Sequence, residues 1–318
     1  MLKRRAFITA TVAALCYPQL LRGKDKKLAP RRGLTLGTST YGMASLKTEK
    51  AVELISTVGF DSLELSAWSG RDEDTAVFSK ARRKALRKQL DSSGLKLSSI
   101  GESLQIDDDS KKRQHRLERL KLAAQFSNDL APHEPAFLQT ILGGHGLEWD
   151  KIKPTYAEEL ADWIKVADKL KLTIAIKPHR GNAMSRPSQA VELIKMLDTP
   201  ARLKICYDYS HYDLRDMTLE GTIRTALPYT GHVAVKDVVK DGDSTRFVLP
   251  GEGGRIDYPD LLRLFYDGNY RGDINCEVSS QVWRKKGYDP VVAAKTYYRN
   301  MARAFEKSGV PRRGRGDG

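Results

Sequence analysis

Eight short apolar runs, separated by stretches with helical spacing, constrain this chain more than any other feature. The runs lie at residues 34–41, 59–65, 94–100, 135–142, 173–179, 203–211, 232–237 and 273–278. Helices are expected over residues 48–58, 79–92, 113–126, 156–170, 187–197, 219–227, 257–266 and 290–308. Short runs rich in Ile, Val and Leu and bounded by turns read as buried parallel strands, which need crossover helices between them. Eight such units in about 280 residues predict a single-domain α/β fold, a (β/α)8 TIM barrel, whose usual size is about 250 residues. An open doubly wound sheet would want a glycine-rich phosphate turn after an early strand, and Gly37-Thr-Ser-Thr-Tyr-Gly42 does not supply one.

In such barrels the C-terminal strand ends build the active site. The fifth run, Thr173-Ile-Ala-Ile-Lys-Pro-His179, begins apolar and ends in a cation, a proline and a histidine. The next three carry Asp208 and His211, then His232, Lys236 and Asp237, then Glu277. Oxygen and imidazole groups on consecutive strands suit a divalent ion such as Mn, Mg, Co or Zn. Glu64, Glu102 and Trp68 fall near the ends of earlier strands, and His145 follows the fourth. Lys236 and Asp237, adjacent in sequence, are candidates to hold each other.

The net charge is +14 and the sequence pI about 9.6, with much of the excess at the two ends. The basic residues are not interleaved with aromatics and form no reader motif, so no nucleic-acid partner is expected. Three cysteines, Cys16, Cys206 and Cys276, form no CxxC pair. The start, Lys3-Arg-Arg-Ala-Phe-Ile8 before an apolar stretch from Thr9 to Tyr17, resembles a twin-arginine export signal. That stretch is too short to span a bilayer. Residues 1–32 are therefore expected to be an export signal and basic linker, 33–310 the barrel and 311–318 a polar tail. The protein is expected in the periplasm or outside the cell, with no membrane span after export. The sequence leaves the oligomeric state open.

Several motifs carry a family resemblance. They are Gly-Phe-Asp-Ser-Leu-Glu-Leu (59–65), Asp-Tyr-Ser-His (208–211), His-Val-Ala-Val-Lys-Asp (232–237), Pro-Gly-Glu-Gly-Gly-Arg-Ile-Asp (250–257) and Gly-Asn-Tyr-Arg-Gly-Asp-Ile-Asn-Cys-Glu (268–277). The chain resembles the xylose isomerase-like TIM barrels, which include sugar-phosphate isomerases, epimerases, inosose dehydratases and endonuclease IV-like proteins. The resemblance implies one metal held by a glutamate on strand five, an aspartate on six, a histidine on seven and a glutamate on eight. The last three map onto Asp208, His232 and Glu277, and a substrate-binding histidine onto His211. His179, Lys236, Glu64 and His145 are further substrate-binding candidates.

The departure is Lys177, where the resemblance implies the strand-five glutamate. Two readings stay open here. Either three ligands keep the metal and Lys177 serves the substrate, or its ammonium stands in for the ion between Asp208 and Glu277. A lysine with a lowered pKa would also serve as a base or Schiff-base nucleophile. The expected activity is an exported sugar or keto-sugar isomerase, epimerase or lyase. It abstracts a proton next to a carbonyl, with Glu277 as base and Lys177 or a metal at the oxygen. The rivals are a metal-free sugar-binding or lysine-dependent relative, and an endonuclease IV-like DNA repair enzyme.

Overall fold

Strands β1 (Thr35–Ser39), β2 (Ser62–Ser66), β3 (Lys96–Gly101), β4 (Phe137–Thr140), β5 (Ile174–Ile176), β6 (Leu203–Tyr207) and β7 (Thr230–Val235) pair in parallel, each with the next. An antiparallel hairpin, β8 (Asp237–Asp241) and β9 (Ser244–Val248), follows β7, and β10 (Asp273–Cys276) then closes the barrel between β7 and β1. The computed structural model describes residues 33–106 and 111–315. The expected export signal at residues 1–32 lies outside the described residues.

Helices α1 (Thr48–Val58), α2 (Lys80–Ser93), α3 (Lys111–Leu130), α4 (Trp149–Leu170), α5 (Pro187–Met196), α6 (Leu219–Ala226), α7 (Tyr258–Asp267) and α9 (Pro290–Ser308) run between and after the strands, and short α8 (Ser280–Trp283) follows β10. All eight expected strands and eight expected helices are present. Three elements differ. Helix α4 starts at Trp149 rather than Tyr156, with Pro154 inside it. The hairpin and α8 were not foreseen, although Asp241-Gly242-Asp243 is a hairpin turn signal and Gly242 takes φ 60°. Thr48 does not cap α1 with its own side chain. Instead Asp72 accepts from both its N–H (2.9 Å) and its hydroxyl (2.8 Å).

Side chains alternate along a strand, and the two faces here differ sharply. Outward residues such as Leu36, Leu63, Ile174, Ile205, Val233 and Ile274 join the main core beneath the helices. Burying each such side chain contributes about 1.5–3 kcal/mol. The lumen is closed by small residues, among them Ala175, Cys206 and Ala234. Above them, inward positions at the C-terminal ends carry charge. The C-terminal segment also contributes: Arg312, in the expected polar tail, pairs with Asp61 at 2.6 Å and bridges to Leu34.

Candidate active site

The C-terminal mouth encloses a cavity of about 540 Å³, within the usual small-molecule range. Lys177, Glu277, Glu64 and His179 line it, with Glu102 and Trp68. Tyr41 meets Trp68 and Trp283 edge-on, at 5.1 and 5.6 Å between ring centroids, so aromatic faces form one wall.

At the inner side of this cavity four charges alternate in a ring. Lys177 Nζ donates to Glu277 Oε2 (2.5 Å), and Lys236 Nζ donates to Glu277 Oε1 (2.8 Å). Lys236 also donates to Asp208 Oδ2, and Lys177 Nζ lies 3.7 Å from that same oxygen. Asp208 is fully buried, and both lysines are 2% exposed. Burial alone would raise both carboxyl pKa values. The Lys177 and Lys236 charges outweigh it for Glu277, and Lys236 with His211 outweigh it for Asp208, so both are held well below the usual carboxylate range. Burial alone would lower the Lys177 pKa, but Glu277 and Asp208 hold it well above an ordinary lysine. Lys177 is thus an ammonium, not the neutral amine that base or Schiff-base chemistry requires.

The histidines are fixed by their partners. His179 Nδ1 faces the Arg180 carbonyl at 2.8 Å, which can only accept, so the neutral ring keeps its proton there and offers Nε2 as acceptor. Burial, then the charges of Lys236 and Lys177, lower the His179 pKa to about 4. His211 accepts from the Arg180 N–H at Nδ1, and its Nε2 lies 3.2 Å from Lys236 Nζ and 3.4 Å from Asp208 Oδ2. Its ring lies against that of His179, 4.0 Å between centroids and tilted by 43°, and does not line the cavity. His145 is exposed, contacts the Gly181 carbonyl and lies away from the cavity.

The structure does not bring the three expected metal ligands together. Asp208 and Glu277 meet, but His232 lies one layer deeper. A register shift at Ile205/Cys206 sets His232 opposite Cys206, two residues short of Asp208. His232 Nε2 instead lies 3.2 Å from Ser99 Oγ and 3.5 Å from Glu64 Oε2. Ser99 donates its proton to Glu64 (2.5 Å), so Nε2 carries the proton that Ser99 accepts. Among the described residues no group of three or more His, Cys, Asp or Glu side chains is placed to hold a metal ion. The donors fit an ion poorly for a second reason: the ammonium groups already occupy Asp208 Oδ2 and both Glu277 oxygens.

Lys236 and Asp237 do not hold each other. Successive strand residues point to opposite faces, and Asp237 is bound by the Gly253 N–H and the Tyr258 hydroxyl. Glu102 is held by Arg119 at 2.5 Å. Sequence reasoning missed Ser99 and Trp283. Ser99 follows strand alternation only once the shift at Leu63/Glu64, which sets it opposite Glu64, is known.

A closed parallel barrel with a charged cluster at its C-terminal mouth defines the class: a (β/α)8 barrel with an enzyme-type cavity. The profile of the xylose isomerase-like TIM barrel family matches residues 52–306, and the chain belongs to that family. A mouse protein with the provisional name hydroxypyruvate isomerase is 33% identical over 94 residues, covering 30% of this chain and 31% of that protein. The chain thus spans about a third of that relative's length. A D-psicose 3-epimerase structure, determined in the presence of D-fructose, superposes with TM-score 0.69 at 18% identity, over 87% of this chain and 100% of that one. A Mycobacterium smegmatis protein of the same family, in complex with magnesium, gives TM-score 0.65 at 16% identity, over 87% and 97%. At these identities the structural likeness is one of fold.

Proposed function

We propose that this chain is an isomerase- or epimerase-type enzyme for a small hydroxy-carbonyl compound, a sugar, keto-sugar or hydroxy-keto acid. The reaction is proton transfer at the carbon next to the carbonyl. The observation that carries this reading is the Lys177–Glu277 pair, 2.5 Å apart on the cavity lining. The epimerase and isomerase names among the relatives support it.

In this reading the substrate oxygen accepts from Lys177, whose ammonium is fixed before the reaction and stabilises charge that develops there. As Lys177 turns toward that oxygen, Glu277 loses one of its two lysine donors and becomes more basic. Its carboxylate takes the proton from carbon and returns it to the neighbouring carbon on the same face, while Lys177 gives a proton to the former carbonyl oxygen and regains one from the hydroxyl that becomes the new carbonyl. His179 Nε2 and Glu64 accept from substrate hydroxyls, and the aromatic wall packs against C–H faces. Lys236 is a positioning residue, since it touches Glu277 and Asp208 rather than the cavity. No step runs through a metal ion.

The experiment is turnover on a panel of keto-sugars and hydroxypyruvate, followed by NMR. Product formation that disappears in Glu277→Gln supports the reading, and binding without turnover of any compound overturns it. Export belongs to the same reading on the strength of the twin-arginine leader, and favours an unphosphorylated substrate. Retention in the cytoplasm on changing Arg4→Lys with Arg5→Lys tests it, and unchanged secretion contradicts it.

A further inference from the structure

We propose that Lys177 and Lys236 together replace the divalent ion of this fold, making the chain metal-independent. The pair supplies the same two positive charges as such an ion. It places them between carboxylates on two different strands, with Asp208 following β6 and Glu277 following β10. Each carboxylate oxygen facing the ring has an N–H donor within 2.8 Å. The remaining Asp208 oxygen accepts from the Ser210 hydroxyl at 2.6 Å, so neither carboxylate needs a metal for balance.

The second lysine makes this more than a lost ligand. Had only Lys177 changed, Asp208 and Glu277 would keep a net negative charge and an opening for an ion. Lys236, directly after β7, closes that opening and is capped by the Phe247 ring 5.2 Å from its Nζ. The inward position before it on β7 is Ala234, which carries no donor atom. An ion entering here would meet two ammonium groups and displace both from their carboxylates.

The test reads metal, not turnover, so it fails or succeeds independently of the isomerase reading. The purified protein is equilibrated with Mn2+, Co2+ or Zn2+, desalted and analysed by mass spectrometry, and its Tm is measured with and without EDTA. Background metal and an unchanged Tm are expected. One ion per chain, removed by EDTA with a fall in Tm, would overturn the proposal. Lys177→Glu combined with Lys236→Ala is the converse test: the folded variant should gain one ion and a chelator-sensitive Tm. A folded variant that binds none would also overturn it. If that variant fails to fold, the wild-type measurement decides alone, with Lys177→Gln as a milder control expected to stay metal-free.

Discussion

Lys177 reaches Glu277 across the barrel mouth, Nζ to Oε2 2.5 Å, although β6 and β7 separate the strands that present them. Barrel closure makes this pair, since the two residues are 100 positions apart in the chain. It brings an ammonium and a carboxylate to one edge of the cavity with their protonation states fixed in advance.

Lys177→Gln should therefore lower kcat/KM by roughly 100- to 1,000-fold, the usual cost of removing one preorganised donor at a developing oxyanion. Steady-state kinetics on the best panel substrate checks this. A loss confined to KM would mean that Lys177 binds substrate without acting in the transition state.

Removing one member of the ring should cost more stability than removing a pair. Lys236→Ala leaves Asp208 and Glu277 short of a cation and should destabilise by about 3–5 kcal/mol. Replacing both Lys236→Met and Asp208→Leu keeps the charges balanced through Lys177 and Glu277, and should cost less than the single change. Urea unfolding of the three proteins compares them directly.

Acid should weaken the fold through the two adjoining histidines, His179 and His211. The His179 pKa is lowered from 6.5 to about 4, so the unfolded chain binds more protons between these values. Its contribution is full above about pH 6.5 and is lost as the pH falls toward 4. Burial and the neighbouring His179 lower the His211 pKa as well, so both act in the same direction. Denaturant midpoints from pH 7.5 down to 4.5 should fall, and His179→Gln should flatten the slope.

The hairpin has a measurable role. Phe247 lies 5.2 Å from Lys236 Nζ and 5.3 Å from the His211 ring, shielding both from water. Phe247→Ala should cost about 1 kcal/mol of stability yet lower kcat several-fold, because water then screens the ring of charges. Unchanged kcat would show that the hairpin does not shield the site.

The barrel was legible because short apolar runs and helix spacing are local properties. Six cavity or ring residues, Lys177, Asp208, Glu277, His179, Glu64 and Lys236, were also legible, because polar groups at strand ends are conspicuous. What local pattern could not supply was depth within the barrel. His232 looked equivalent to Asp208 and Glu277, but register shifts at Leu63/Glu64 and Ile205/Cys206 set it against Ser99 and Glu64. Lys236 looked like the partner of its neighbour, although strand alternation turns the two side chains apart.

The most direct test of the central claim is solvent deuterium exchange at the carbon next to the carbonyl. It is followed by NMR, in EDTA, for wild type, Lys177→Gln and Glu277→Gln. The account predicts exchange into a hydroxy-keto substrate by wild type and its loss in both variants. Exchange that survives in both variants, or no exchange with any substrate, would contradict it.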